Sequence, residues 1–180
     1  MNSKRIWLMV PAIFMPYLMA AIPLFIFFST DVPLFNQIMD SVFQNNVLLL
    51  VLVFVIYAVI ALGLSGLCFY LSRKKNWDSL SMAKTAVIIK LIQIPGYIAV
   101  YILGAVCLIT VFTFAITFLF ALFDFLTLLM TGQLTVSAVI GASRNGQLPI
   151  KNSWWVIPLQ AVFCADVIAA ILLYRQLKNG

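Results

Sequence analysis

Three charged side chains lie within long apolar segments, and their types could support chemistry. They are Lys90, Asp124 and Asp166. An ionised group deep in a bilayer is costly, so such residues usually pair, face water or carry a proton. Asp166 has three open assignments: a protonatable acid, a hydrogen-bond partner of Ser or Thr, or a partner of Arg144.

The rest of the chain offers little to an enzyme. There is no histidine, and all five acidic residues are aspartates, which removes most general bases and metal sites. Cys68, Cys107 and Cys164 are single residues without a CxxC motif, so redox and zinc chemistry are not expected. Asp124 and Asp166 are predicted at depths roughly 10–15 Å apart, too far for a catalytic pair. The sequence predicts no enzyme, no metal and no cofactor.

The composition is that of an integral membrane protein. Of 180 residues, 64% are hydrophobic and 9% are charged, against about 45–50% and 25% in soluble domains. The net charge of +6 arises from basic residues at the ends of apolar segments, where they serve as topology signals and headgroup anchors. The expected partner is therefore the lipid bilayer, with no role for nucleic acid.

The elements that must position the charged residues are helices across the membrane. The first span, about 6 to 28, carries three prolines and is kept as a span rather than a cleaved signal peptide. The next segment, residues 30 to 46, is predicted to form an amphipathic helix at the outer interface, with a lid over a pore as the weaker alternative. The second span, about 47 to 71, ends at the basic cluster 73 to 75, which the positive-inside rule places in the cytoplasm together with the N-terminus of this plasma-membrane protein.

Residues 79 to 142 must double back, because one helix of that length would stretch roughly 95 Å. We place the turn at about 104 to 109. Each arm then carries a polar stripe. One stripe contains Lys90, Gln93, Tyr97 and Tyr101 and ends at Gly104; the other contains Thr110, Thr113, Thr117, Asp124, Thr127 and Thr131, with Thr135 in line.

An antiparallel register about residue 107 brings the stripes together. Tyr101 then faces Thr113, Tyr97 faces Thr117, and Lys90 comes level with Asp124, which predicts a Lys90–Asp124 pair near the cytoplasmic end. Three interpretations of the stripes stay open: polar contacts that fasten a packed bundle, the lining of an aqueous or ligand pathway, or a docking face for another subunit. Threonines can also bond back to their own i−4 carbonyls and need no partner.

The remaining C-terminal segment is predicted to leave the membrane and cross once more. Gly132 and Gly141 are expected to break or end the helix, followed by a turn at Asn145-Gly146. The last span, about 154 to 173, carries a small-residue row suited to close helix packing, Ala161, Ala165 and Ala169. About five spans result, with the C-terminus outside. Arg175 and Lys178 argue against that side, and four spans satisfy the charge rule equally well.

Three segments resemble those of a small, uncharacterised bacterial family of multi-pass membrane proteins. They are AKTAVIIKLIQIPGYI, DFLTLLMTG and LQAVFCADVIAAILLY, at residues 83 to 98, 124 to 132 and 159 to 174. The resemblance covers the C-terminal half and implies that Lys90, Pro95, Asp124, Arg144 and Asp166 occupy family-like positions; it implies no activity. In size and hydrophobicity the chain is also similar to the substrate-binding subunits of energy-coupling-factor vitamin transporters, which have six spans.

The sequence thus predicts an all-α, polytopic transmembrane helix bundle forming one membrane-embedded domain, residues 1 to 180. The expected function is non-enzymatic: binding or transport of a small solute, or support of a transporter, with the polar stripes and Asp166 as its interior. The alternative is an assembly or immunity protein that docks another membrane subunit, or a second copy, through the alanine row.

Overall fold

The computed structural model describes residues 7–28, 32–109, 114–147, 154–162 and 164–179. Its helices are α1 (Val10–Phe28), α2 (Pro33–Phe43), α3 (Val47–Lys74), α4 (Ser79–Leu108), α5 (Phe114–Arg144), α6 (Val156–Leu159) and α7 (Ala165–Asn179). Within the described residues, four helices are long and apolar enough to cross a membrane. They are α1, α3, α4 and α5. The protein is therefore an all-α membrane protein, as predicted.

The helix ends follow from local capping chemistry. The Asn46 side chain accepts a hydrogen bond from the Leu48 N–H at the start of α3, and Asp78 caps α4 through the Ser81 N–H. The predicted turn at Asn145-Gly146 is confirmed, because Gly146 has a φ of 68° and the Gln147 N–H reaches back to the Ala142 carbonyl. The left-handed conformation of Gly146 lets its own N–H and that of Gln147 donate to the last carbonyls of α5.

α5 does not break at its internal glycines. Gly132 and Gly141 both lie within α5, so the prediction that the helix ends at one of them is wrong. Each glycine instead allows a close neighbour. A Cβ at Gly132 would lie 2.9 Å from the Gln160 Cβ, and one at Gly141 would lie 2.7 Å from the Ser79 hydroxyl. Their small size serves packing between elements rather than helix termination.

α4 and α5 form the predicted antiparallel hairpin. α4 ends at Leu108 and α5 begins at Phe114, so the reversal comes a few residues later than expected. Its connecting residues, 110 to 113, lie outside the described residues. The register is consequently shifted: Thr117 donates to the Gly104 carbonyl at 3.3 Å, whereas the sequence predicted Thr117 opposite Tyr97.

The long helices pack around apolar clusters at successive levels. Near the Trp77 end, Met9, which directly precedes α1, and Cys68 of α3 share a cluster with Met130 of α5. Toward the other end, Phe54 of α3 packs against Phe123 of α5, with ring centroids 4.7 Å apart. α2 lies at that far end, where the Phe35 ring contacts Phe25 and Met39 is its buried residue. The N-terminus of α1 and the C-terminus of α5 thus share the Trp77 end.

The C-terminal segment folds back instead of crossing. The predicted span 154 to 173 is not one helix: α6 ends at Leu159 and α7 begins at Ala165. Val156 and Leu173 belong to one cluster with Met82, against which Trp77 and Leu177 pack. On one straight helix, Val156 and Leu173 would be separated by roughly 25 Å. The segment is therefore a helical hairpin: α6 enters from the Trp77 end, and α7 returns to it.

Candidate functional site

A buried ion pair joins the helical hairpin to α4. The Lys90 Nζ lies 2.5 Å from the Asp166 Oδ2, and the two side chains are 0% and 2% exposed. Lys90 is about 16 Å along α4 from its first residue, roughly half the thickness of the hydrocarbon core. Each charge therefore compensates the other where neither could be hydrated.

The backbone of the hairpin places Asp166 for this contact. Asp166 lies in the first turn of α7, where the positive end of the helix dipole favours a carboxylate. Just before it, Cys164 adopts a φ of 65°, a left-handed conformation that redirects the chain. The Asp166 N–H then donates to the Val162 carbonyl. The turn and the helix start together aim the carboxylate at α4.

The predicted Lys90–Asp124 pair is wrong, for two reasons. The first is register: Ser79 lies against Gly141 and Gly104 lies against Thr117, which places Met130 or Thr131, not Asp124, level with Lys90. The second is the hairpin, which brings Asp166 to Lys90. Of the three assignments for Asp166, pairing is correct, but its partner is Lys90 rather than Arg144.

Gln93 and its neighbours on α4 lie where this helix crosses α1, beside Pro16. Pro16 has no N–H to donate to the Ala12 carbonyl, and the Gln93 Nε2 donates to that carbonyl instead, at 2.8 Å. Tyr97 donates to the Gln93 Oε1 at 3.5 Å. Gly96 admits the proline, because a Cβ there would lie 3.0 Å from the Pro16 Cβ.

On α4 itself, Pro95 lies within the continuous helix beside this contact, and the Tyr17 hydroxyl of α1 donates to the Ile92 carbonyl. Each helix thus donates a side-chain hydrogen bond to a backbone carbonyl of the other. Gln93 and Tyr97 are buried at this crossing, where these contacts join α1 to α4.

The threonine row of α5 is largely satisfied by its own helix. Thr127 donates to the Phe123 carbonyl at 2.9 Å, and Thr131 to the Thr127 carbonyl at 3.0 Å. Both are buried in the bundle. They correspond to the predicted alternative in which intramembrane threonines bond back to i−4 carbonyls. Thr113 lies outside the described residues.

Asp124 is the charged member of this row and lines a groove. Its Oδ1, like the Thr135 hydroxyl, is buried and has no hydrogen-bond partner. The residue lines a groove of about 280 Å³ between α4, α5 and the hairpin; the other residues lining the groove are Tyr101, Ala121, Phe125, Leu128 and Ala161. Because Tyr101 is 72% exposed and Phe125 is 45% exposed, this groove opens on the side of the bundle. We call it the lateral groove.

The tip of the helical hairpin forms one wall of the lateral groove. Gln160 packs on Gly132 of α5, which brings the next residue, Ala161, to the groove. The N–H groups of Gln160, Ala161 and Val162 donate to carbonyls three residues earlier. Irregular backbone at membrane depth is found where protein covers it or where it lines a cavity; this tip meets both conditions.

The predicted site residues thus separate into three groups. Lys90 and Asp166 form the ion pair; Gln93 and Tyr97 belong to the helix crossing; Tyr101 and Asp124 line the lateral groove. The alanine row is divided as well, since Ala161 lies beyond the end of α6 and only Ala165 and Ala169 share α7. Ala169 is fully buried inside the bundle, so the row is not a continuous outward face.

Sequence reasoning missed the helical hairpin and therefore the groove wall. Two signals pointed to it: the basic residues Arg175 and Lys178, which fit the same side as residues 73 to 75, and the polar Gln160 in the middle of a supposed span. Length alone favoured a crossing, because about 20 residues are enough to span the hydrocarbon core. The same length is also enough for a returning hairpin.

No three His, Cys, Asp or Glu side chains of the described part of the chain come together as a potential metal site. Comparisons of the chain with protein-family models, with curated proteins and with solved structures gave no match.

Proposed function

We propose that this membrane protein is non-enzymatic and binds a small amphiphilic solute in the lateral groove, either as a transport protein or as the solute-binding subunit of a transporter. One observation carries the proposal: Asp124, a membrane-embedded carboxylate whose Oδ1 has no hydrogen-bond partner, lines a groove bounded by two spans and an interrupted helical hairpin. In membrane transporters, substrate sites are commonly formed beside such discontinuous helices.

The size and lining of the lateral groove fit a small, partly apolar ligand. Its volume of about 280 Å³ is near the lower end of ligand sites, which begin at roughly 300 Å³. Most of its lining is aliphatic or aromatic, with one carboxylate to orient a polar group. A solute could enter it from the bilayer through the open side.

The Lys90–Asp166 ion pair supports this choice of site by elimination. Its side chains are sealed from solvent, so the pair offers no surface to a solute. It holds the hairpin whose tip forms one wall of the groove. The pair acts as a positioning element, and Asp124 is the residue that meets the ligand.

We further propose that the Trp77 end faces the cytoplasm. Arg73 and Arg144 line one small cavity at this end together with Trp77, and α7 returns Arg175 and Lys178 to the same end. In the described residues, Lys90 is the one basic side chain buried away from this end. Such one-sided placement is what the positive-inside rule requires of a cytoplasmic surface.

The docking alternative has weaker support. The docking function was predicted from the alanine row, but this row is interrupted between α6 and α7. Its last member, Ala169, is buried inside the bundle. A partner helix would therefore need a surface other than the alanine row. Occupancy of the groove by a solute then separates the two functions.

The proposed binding site can be tested by a substitution that fills the lateral groove. The purified protein in phosphatidylcholine nanodiscs is titrated with 1-naphthylmethylamine and 1-naphthylmethanol, and bound molecules are counted by native mass spectrometry. We expect saturable one-to-one binding of at least one probe, lost in Ala121→Phe, whose side chain occupies the groove. Ala105→Phe is the matched control, because Ala105 is an equally exposed residue of α4 that does not line the groove. Binding of neither probe, or equal binding to both variants, would contradict the proposal.

A further inference from the structure

We infer that the ligand of the lateral groove carries a protonated amine on an apolar body, an inference that rests on the proposed function. Asp124 is the starting point. A buried acceptor without a donor is costly, and a donor that carries a positive charge offsets that cost most effectively. An ammonium N–H that reaches the Asp124 carboxylate from the groove would supply both a hydrogen bond and the counter-charge.

No side chain of the groove supplies that counter-charge. α4 contributes Tyr101, the hairpin contributes Ala161, and α5 contributes only apolar residues besides Asp124. The lysine of the bundle interior, Lys90, is already paired with Asp166. The carboxylate therefore meets no cation from any of the three elements that form the groove.

The walls add a preference for an aromatic or aliphatic body. Tyr101 and Phe125 present exposed rings on either side of the opening, and aromatic faces attract an ammonium group within about 6 Å. Leu128, which is buried, and Ala121 complete an apolar surface. A small amine with a hydrophobic part matches these features, whereas an anion would meet like charge at Asp124.

The same chemistry could come from a free amine or from the headgroup of an aminophospholipid. Asp124 lies about 15 Å along α5 from the first residue of that helix, below the level expected for headgroups. The lateral opening nevertheless gives a lipid access. The experiment must therefore separate these two sources.

The test compares four naphthalene probes of similar size in phosphatidylcholine nanodiscs, by native mass spectrometry. They are 1-naphthylmethylamine, its N,N,N-trimethyl analogue, 1-naphthylmethanol and 1-naphthoate. We expect the amine to bind best, because it alone has both a charge and an N–H. Asp124→Asn should raise the Kd of the amine by roughly tenfold or more, the worth of one charge-assisted hydrogen bond. The Kd of the alcohol should change little, which also reports that the variant is folded.

The outcomes are distinguishable. If the alcohol or the naphthoate binds as tightly as the amine, or if Asp124→Asn leaves the amine unaffected, the amine inference is overturned while the groove keeps its function. If no probe binds, the proposed function fails and the inference with it. When phosphatidylethanolamine is added to the nanodiscs, competition with the amine in wild type but not in Asp124→Asn identifies a lipid headgroup as the amine source. An unchanged Kd identifies a free amine.

Discussion

At the residue scale, the two membrane-embedded aspartates have opposite surroundings. Asp166 has a lysine at 2.5 Å and a helix N-terminus behind it. Asp124 has a buried oxygen without a partner and a groove in front of it. The Asp166 carboxylate has its counter-charge within the chain, whereas the Asp124 Oδ1 has no hydrogen-bond donor. This contrast is why we assign structure to one aspartate and ligand binding to the other.

The ion pair makes a prediction about single and double substitutions. Lys90→Met or Asp166→Asn alone leaves one buried charge uncompensated and should lower the free energy of unfolding by about 3–5 kcal/mol. The double variant, which removes both charges, should lose less than the sum of the single losses. Unfolding in mixed micelles measures these differences, with Lys84→Met, an exposed lysine of α4, as control. Additive losses would show that the two charges are not coupled.

At the element scale, prolines in membrane helices are tolerated where neighbours satisfy the freed carbonyls. α4 does this for α1 at one crossing. Pro16 packs on Gly96, and the Gln93 amide occupies the donor position that Pro16 leaves empty at the Ala12 carbonyl. Pro16 therefore belongs to the scaffold of the bundle, and the interrupted element beside a cavity is the α6–α7 hairpin.

This crossing can be tested with a double-mutant cycle. Gln93→Leu should lower the free energy of unfolding by about 1–3 kcal/mol, because the buried Ala12 carbonyl loses its donor. In a Pro16→Ala background the loss should be smaller, since the alanine N–H restores the donor within α1. Gln176→Leu, at an exposed position of α7, is the control. The same loss in both backgrounds would mean that Gln93 does not replace the donor missing at Pro16.

At the scale of the whole molecule, the helical hairpin decides where the chain ends. α7 runs back along α4 and brings Leu177 to Trp77. The described parts of α1 and α7 thus place both termini toward the same end of the bundle. The basic residues of α7 then join those of α3 and α5, which removes the conflict with the positive-inside rule that a fifth crossing creates.

Topology reporters test this arrangement in cells. A reporter that is active only in the cytoplasm should be active when fused to either terminus. The same reporter inserted at the turn between α2 and α3, near Asn45, should be silent because that turn lies at the opposite end. Activity at Asn45, or silence at the C-terminus alone, would contradict the four-span arrangement with a returning hairpin.

Much of the architecture was predictable because it depends on local sequence. Apolar length requires membrane-spanning helices, the excessive length of residues 79 to 142 requires a reversal, and Asn145-Gly146 marks a helix end whatever surrounds it. The polar character of Lys90, Gln93, Asp124 and Asp166 is equally a property of the sequence.

Only the tertiary structure decided which of these side chains contact one another. The position of a turn sets the register of every residue after it, so a reversal a few residues later moved Asp124 away from Lys90 and left Met130 or Thr131 level with it. Whether residues 154 to 173 cross or return depends on packing against Met82, Gly132 and Lys90, which are distant in sequence. By itself the sequence determined which residues are too polar for lipid. Which of them pair, and which lines the lateral groove, depended on contacts between helices that no local pattern encodes.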